Sequence, residues 1–104
     1  MSYSKKVKEC KVFFDMMSKL TEDNYMEFHY AGKTFKLSGY VGYKGEMSYS
    51  VWNGVNGMNV SKVGRTSLSL YTFDMMSQKT TYTLDVMKVL KAGSICVISN
   101  KKAA

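Results

Sequence analysis

Proline is absent from this 104-residue sequence, histidine and arginine occur once each, and cysteine occurs twice. Without a proline-rich or Gly/Ser-rich stretch nothing divides the chain, and its length lies at the lower edge of what one core supports. Residues 1–104 are therefore expected to form a single domain. A chain of this size buries somewhat under about 70% of the surface its unfolded form exposes, enough for one helix-on-sheet core but not for a deep catalytic cleft.

The two cysteines, Cys10 and Cys96, stand almost a whole chain apart, with no CxxC pair and no neighbouring histidine. That spacing carries neither a zinc signature nor a disulfide framework, so no metal and no cofactor is expected. A lone bridge between the ends is geometrically allowed, but cysteines embedded in apolar runs such as Val12-Phe13-Phe14 and Ile95-Cys96-Val97-Ile98 read as buried small hydrophobes. No apolar window approaches the roughly 18 residues of a membrane span, and the start, Met1-Ser2-Tyr3-Ser4-Lys5-Lys6, does not resemble a signal peptide. A soluble, cytoplasmic protein without membrane contact is expected.

Catalytic patterns are missing as well. Acid–base or nucleophilic chemistry needs a tunable group with an oriented partner, and no G-x-S-x-G, Walker, Rossmann or H-E-x-x-H pattern occurs. His29 falls beside Glu27 on one face of an expected strand, the arrangement of any strand that shows its polar side to water. The rival reading is a metal-independent ribonuclease built on His29, Lys36 and a tyrosine. Residues 39–45 resemble a glycine-rich phosphate loop only loosely, since no helix follows them, and read better as a hairpin turn.

What is present is charge, placed unevenly. The net charge is +7; residues 1–11 hold four lysines and one glutamate, residues 86–104 hold four lysines and no acid, and residues 12–85 are neutral. Cations in the first turn of a helix oppose its dipole at a cost of a few tenths of a kcal/mol. The basic helix face of Lys5, Lys8 and Lys11 thus reads equally as solvated surface and as a site for an anionic partner, whereas Lys101 and Lys102 read as a solubilising tail. Fourteen lysines against the single Arg65 suit diffuse attraction to phosphate or acidic protein more than bidentate base readout.

The fold class expected is α+β: an N-terminal helix on an antiparallel sheet of about five to six strands, with a short helix near the C-terminus. Val7, Cys10, Phe13, Phe14, Met17 and Leu20 recur three and four apart over 4–20, the stripe of a helix lying on a core. Val12 and Met16 widen that face toward a second contact. The period then changes to two: Met26, Phe28 and Tyr30, then Phe35 and Leu37, then Met47, Tyr49 and Val51, a three-strand meander. Residues 53–65, rich in Asn and Gly, read as a long irregular loop or a very short bent strand that leaves Val55 and Met58 exposed. Strands follow at 66–73 and 80–83. A short helix is expected over 83–92 with Gly93 as its stop, a strand being the alternative. Residues 94–99, apolar on both faces, read as a central strand. The repeated Phe-Asp-Met-Met-Ser at 14–18 and 73–77 has unmatched flanks and reads as chance.

The richest stretch is 40–65. Tyr40, Tyr43, Lys44, Trp52, Asn53, Asn56, Lys62 and Arg65 are its candidate partner-binding residues. Tyr and Trp give large contact area at low entropy cost, and Ser, Gly and Asn give adaptable hydrogen bonds, the composition of protein-binding loops. Aromatics interleaved with cations also suit stacking on unpaired bases. Alternation puts Tyr49 and Trp52 on opposite faces, so one of them is expected outside the core.

A non-catalytic binding protein with a macromolecular partner follows. In its methionine content, lack of proline and lysine-asparagine-tyrosine flavour the chain resembles the accessory proteins of bacteriophages, several of which inhibit a host enzyme or defence complex. That likeness of composition ranks a host protein complex that handles nucleic acid first as partner and nucleic acid itself second. Sequestration of a small anionic ligand such as a nucleotide, between the protomers of a homodimer, is a further alternative.

Overall fold

A computed structural model describes residues 2–54, 56–72 and 80–99. Helix α1 (Tyr3–Ser18) begins where the Ser2 hydroxyl accepts the Lys5 amide at 3.3 Å, a serine N-cap. Cys10, Phe13 and Met17 bury the stripe read from the sequence. The helix ends two residues sooner than its apolar period, because the Lys19 and Leu20 amides bond back to the Met16 and Met17 carbonyls, the tight closing turn common at helix ends. Leu20 is nonetheless buried in the core.

Strands β1 (Asn24–Tyr30) and β2 (Lys33–Val41) form a hairpin closed by Ala31 and Gly32, both at positive φ, 52° and 76°. Positive φ at both central residues is the turn whose twist matches paired strands. β3 (Met47–Asn53), β4 (Asn56–Val63), β5 (Ser67–Thr72) and β6 (Thr80–Asp85) continue the sheet in chain order. Helix α2 (Val86–Ala92) starts on Asp85, whose carboxylate accepts the Met87 amide at 3.0 Å, and stops at Gly93 in the left-handed conformation. β7 (Cys96–Ser99) returns to pair with β1, giving a seven-stranded antiparallel sheet in the order β6-β5-β4-β3-β2-β1-β7.

One face of the sheet is apolar. Met26, Phe28, Tyr30, Phe35, Leu37, Val51, Leu68, Leu70 and Leu84 lie on it, buried beneath α1 and α2. Phe28 joins the layers: its ring meets Phe13 of α1 edge-on at 5.9 Å and stacks on Phe35 of β2 at 5.9 Å. Removing a ring so placed costs about 3–5 kcal/mol. The sheet curls around this core until β1 meets β6, with the rings of Tyr30 and Tyr82 6.5 Å apart.

The class is the α+β arrangement expected, with corrections in detail. Among the described residues the strands number seven rather than five to six, because the segment read as a loop is the full-length β4. Its irregularity is confined to a bulge at Ser61, where the register with β5 shifts between Val60 and Lys62. Met58 is accordingly packed against the core rather than exposed, while Val55 lies outside the described residues, as does the second Phe-Asp-Met-Met-Ser copy. The strand read as central, β7, is an edge strand, paired among the described residues with β1 alone. Cys96 on it is therefore exposed, not buried, whereas Cys10 is fully buried. Residues 86–92 are helical, and the helix starts later than read because 83–85 still belong to β6.

Candidate partner-binding surface

With the apolar side chains turned inward, the alternate positions of every strand form the outer face of the sheet. Cross-strand register sets its rows: Tyr25 beside Ser38, Ser38 beside Ser50, Ser50 beside Asn59 and Asn59 beside Tyr71. A neighbouring row runs from Glu27 through Lys36 and Trp52 to Gly57. Tyr40 faces Ser48. The result is a convex face of hydroxyls and amides, set with aromatic rings and few charges.

Trp52 lies on the central strand β3, one residue from its end, and is 43% exposed. Two devices fix its ring. The indole Nε1–H donates to Ser50 Oγ at 3.1 Å, so the one polar group of the side chain is satisfied within the strand. The six-membered ring covers Gly57 on β4: a β-carbon there would stand 2.7 Å from Trp52 Cη2 and Cζ3. Only glycine lets the indole lie so close. One side of the ring rests on backbone, and the remainder is presented to solvent in a set orientation. Beside it, Lys36 Nζ stands 5.1 Å from the centre of the Tyr25 ring, a cation–π contact that holds the ammonium over the same face.

The candidate residues do not form one cluster. Tyr40 is exposed at the end of β2, and Tyr43 and Lys44 occupy the β2–β3 turn, where the Tyr43 ring is 94% exposed and Lys44 Nζ lies 5.7 Å from its centre. Arg65 lies exposed in the β4–β5 turn, at the same end of the sheet, and Lys62 stands nearby opposite Ser69. Trp52 and Asn53 belong to the other end of β3, roughly 20 Å away along a seven-residue strand. Asn53 pairs with Asn56 through the backbone; the Asn56 side chain lies outside the described residues. Lys5, Lys8 and Lys11 are exposed on α1, on the opposite side of the molecule from the outer face. Sequence reasoning missed Tyr25, Lys36, Ser50 and Asn59 as members of the surface around Trp52; their signal is the alternation that puts Tyr49 and Trp52 on opposite faces.

His29 belongs to the outer face of β1 at its exposed end. Its Nδ1 lies 3.0 Å from Thr34 Oγ1, and its backbone amide donates to Ser94 Oγ at 3.2 Å. Among the described residues no three His, Cys, Asp or Glu side chains gather where a metal ion would be held, and no helix is long and apolar enough to cross a membrane. Comparison with protein-family models, curated proteins and solved structures finds no match for this chain.

Proposed function

We propose that this chain is a non-catalytic cytoplasmic binding protein that docks onto a protein partner through the outer face of its sheet, with Trp52 as the anchor. In its class it is a phage-type accessory protein that inhibits a host or defence complex. The observation that carries the reading is the Trp52 ring, 43% exposed and yet held by Ser50 and Gly57. A large aromatic whose orientation is set before binding loses little entropy on contact, and tryptophan leads the residues that dominate interfaces. Around it stand Ser38, Ser50 and Asn59, with Ser48 and Tyr40 farther along the same face, side chains that adapt their hydrogen bonds to a protein surface. The outer face carries too few cations, chiefly Lys36 and Lys62, to track a phosphate backbone by itself.

Affinity capture from a bacterial lysate tests this, with the wild-type chain and Trp52→Ala as parallel baits. Truncating a hot-spot tryptophan costs about 2 kcal/mol or more, roughly thirtyfold in affinity. The wild type is expected to retain a discrete protein in stoichiometric amount, and Trp52→Ala, folded by circular dichroism, to lose it. Equal recovery by both baits, or recovery of nothing at low salt, overturns the proposal.

A further inference from the structure

The excess charge of this chain is divided between its two ends, and the fold packs the described helix of each, α1 and α2, together. α1 packs against α2, and both cover the same face of the sheet. The fully buried Cys10 of α1 lies close enough to the α2 cap for the Asp85 carboxylate to act on its thiol. α1 carries four lysines against Glu9 and Asp15, and α2 adds Lys88 and Lys91 with no acid, so the two helices hold a net +4. The seven strands hold only +1, from Lys33, Lys36 and Lys62 against Glu27 and Asp85.

The lysines are turned outward. Cys10, Phe13 and Met17 of α1 and Val86 and Val89 of α2 take the core side; Lys5, Lys8, Lys11, Lys88 and Lys91 are exposed. No acid occupies the first turn of α1, where Lys5 and Lys6 stand against the helix dipole. A hollow of about 700 Å³ runs along α1, lined by Ser4, Lys5, Lys8, Glu9 and Val12.

We infer that the lysine faces of α1 and α2 together form a binding surface for the phosphodiester backbone of nucleic acid. Charge complementarity names the occupant. Lysine is depleted in protein–protein interfaces, and here it supplies every cation on either helix. Its ammonium is a point charge that suits phosphate without demanding a fixed geometry. No arginine and no amide side chain stands on either helix to read a base edge, so the contact is with the backbone and indifferent to sequence. This surface lies on the far side of the domain from the sheet face proposed to dock protein. A chain with both contacts suits a partner complex that itself holds nucleic acid, but the two can fail separately.

Fluorescence anisotropy with a short labelled DNA duplex tests the inference. Wild-type affinity is expected to fall steeply between about 50 and 200 mM salt. Combining Lys5→Gln, Lys8→Gln, Lys88→Gln and Lys91→Gln is expected to reduce the slope of log K against log salt by about 3 to 4, at about 0.9 for each phosphate no longer neutralised. Removing four cations from the sheet side, with Lys36→Gln, Lys44→Gln, Lys62→Gln and Arg65→Gln, controls for net charge and is expected to leave most of the slope; Trp52→Ala is expected to leave all of it. Polyglutamate of equal charge is expected to compete weakly. The inference is overturned by no binding at about 50 mM salt, by equal loss from the helix and sheet substitutions, or by polyglutamate competing as well as unlabelled DNA.

Discussion

Tyr30 and Asp85 stand 55 positions apart in the chain, and the Asp85 amide donates to the Tyr30 hydroxyl at 3.3 Å. The bond ties the end of β1 to the start of α2, two elements that only the curl of the sheet brings within reach. Asp85 meanwhile caps α2 through its carboxylate, so one residue anchors both the closure and the helix.

Tyr30→Phe keeps the ring and removes the hydroxyl, leaving a half-buried amide without its acceptor. A loss of about 1 kcal/mol is expected, read as a lower urea midpoint. Asp85→Ala is expected to cost about 1 kcal/mol through the missing cap. An unchanged midpoint for Tyr30→Phe would show that the closure adds nothing to stability.

Ala31 sits at φ 52°, a conformation that favours glycine. It is exposed, so no packing is at stake. Ala31→Gly is expected to stabilise the protein by about 0.5–1 kcal/mol, visible as a melting temperature several degrees higher. A lower one would contradict the turn geometry.

Gly57→Ala places a methyl where the Trp52 ring now lies. The indole must swing away and give up its bond to Ser50. Trp52 is the single tryptophan of the chain, so its emission reports the change directly: a red shift with unchanged circular dichroism is expected. The same substitution is expected to weaken capture of a protein partner, because the anchor is then no longer held.

The two thiols should behave differently. Exposed Cys96 is expected to react with a thiol reagent in the native protein, and buried Cys10 only after unfolding. Burial, then the carboxylates of Asp85 and Glu9, raise the Cys10 pKa, with Lys6 opposing; burial and then Tyr30 raise that of Tyr82. Raised native values favour the protonated forms. Their contribution to stability is thus complete below the ordinary values, about 8.5 for a thiol and 10 for a phenol, and disappears as pH rises through the native ones. Melting temperature is expected to fall on the alkaline side from about pH 8.5. A profile flat to pH 11, about one unit above an ordinary phenol, would contradict this.

Much of the fold is legible in the sequence because one face of each clear element is buried. The stripe of Cys10, Phe13 and Met17 and the alternation of Met26, Phe28 and Tyr30 state their periods openly. β4 hides its own: Met58 and Val60 alternate, but flanking Asn and Gly suggest turns and the bulge at Ser61 breaks the count. β7 misleads for the opposite reason, since apolar residues on both sides suggest a central strand, whereas its register leaves Cys96 and Val97 at an edge. For the surface, alternation is enough to put Tyr49 and Trp52 on opposite faces, and the structure shows Trp52 to be the one outside. Alternation does not show that antiparallel pairing carries Tyr43, Lys44 and Arg65 to one end of the sheet and Trp52 and Asn53 to the other.

The most direct test of the sheet face as a docking surface is site-specific photo-crosslinking in bacterial cells, with the reactive residue placed at Asn59, at Ser48 or, on the helical side, at Lys8. One discrete protein adduct is expected from Asn59 and Ser48, and none of the same mass from Lys8. The same adduct from Lys8, or no adduct from either sheet position, would contradict docking through the sheet face.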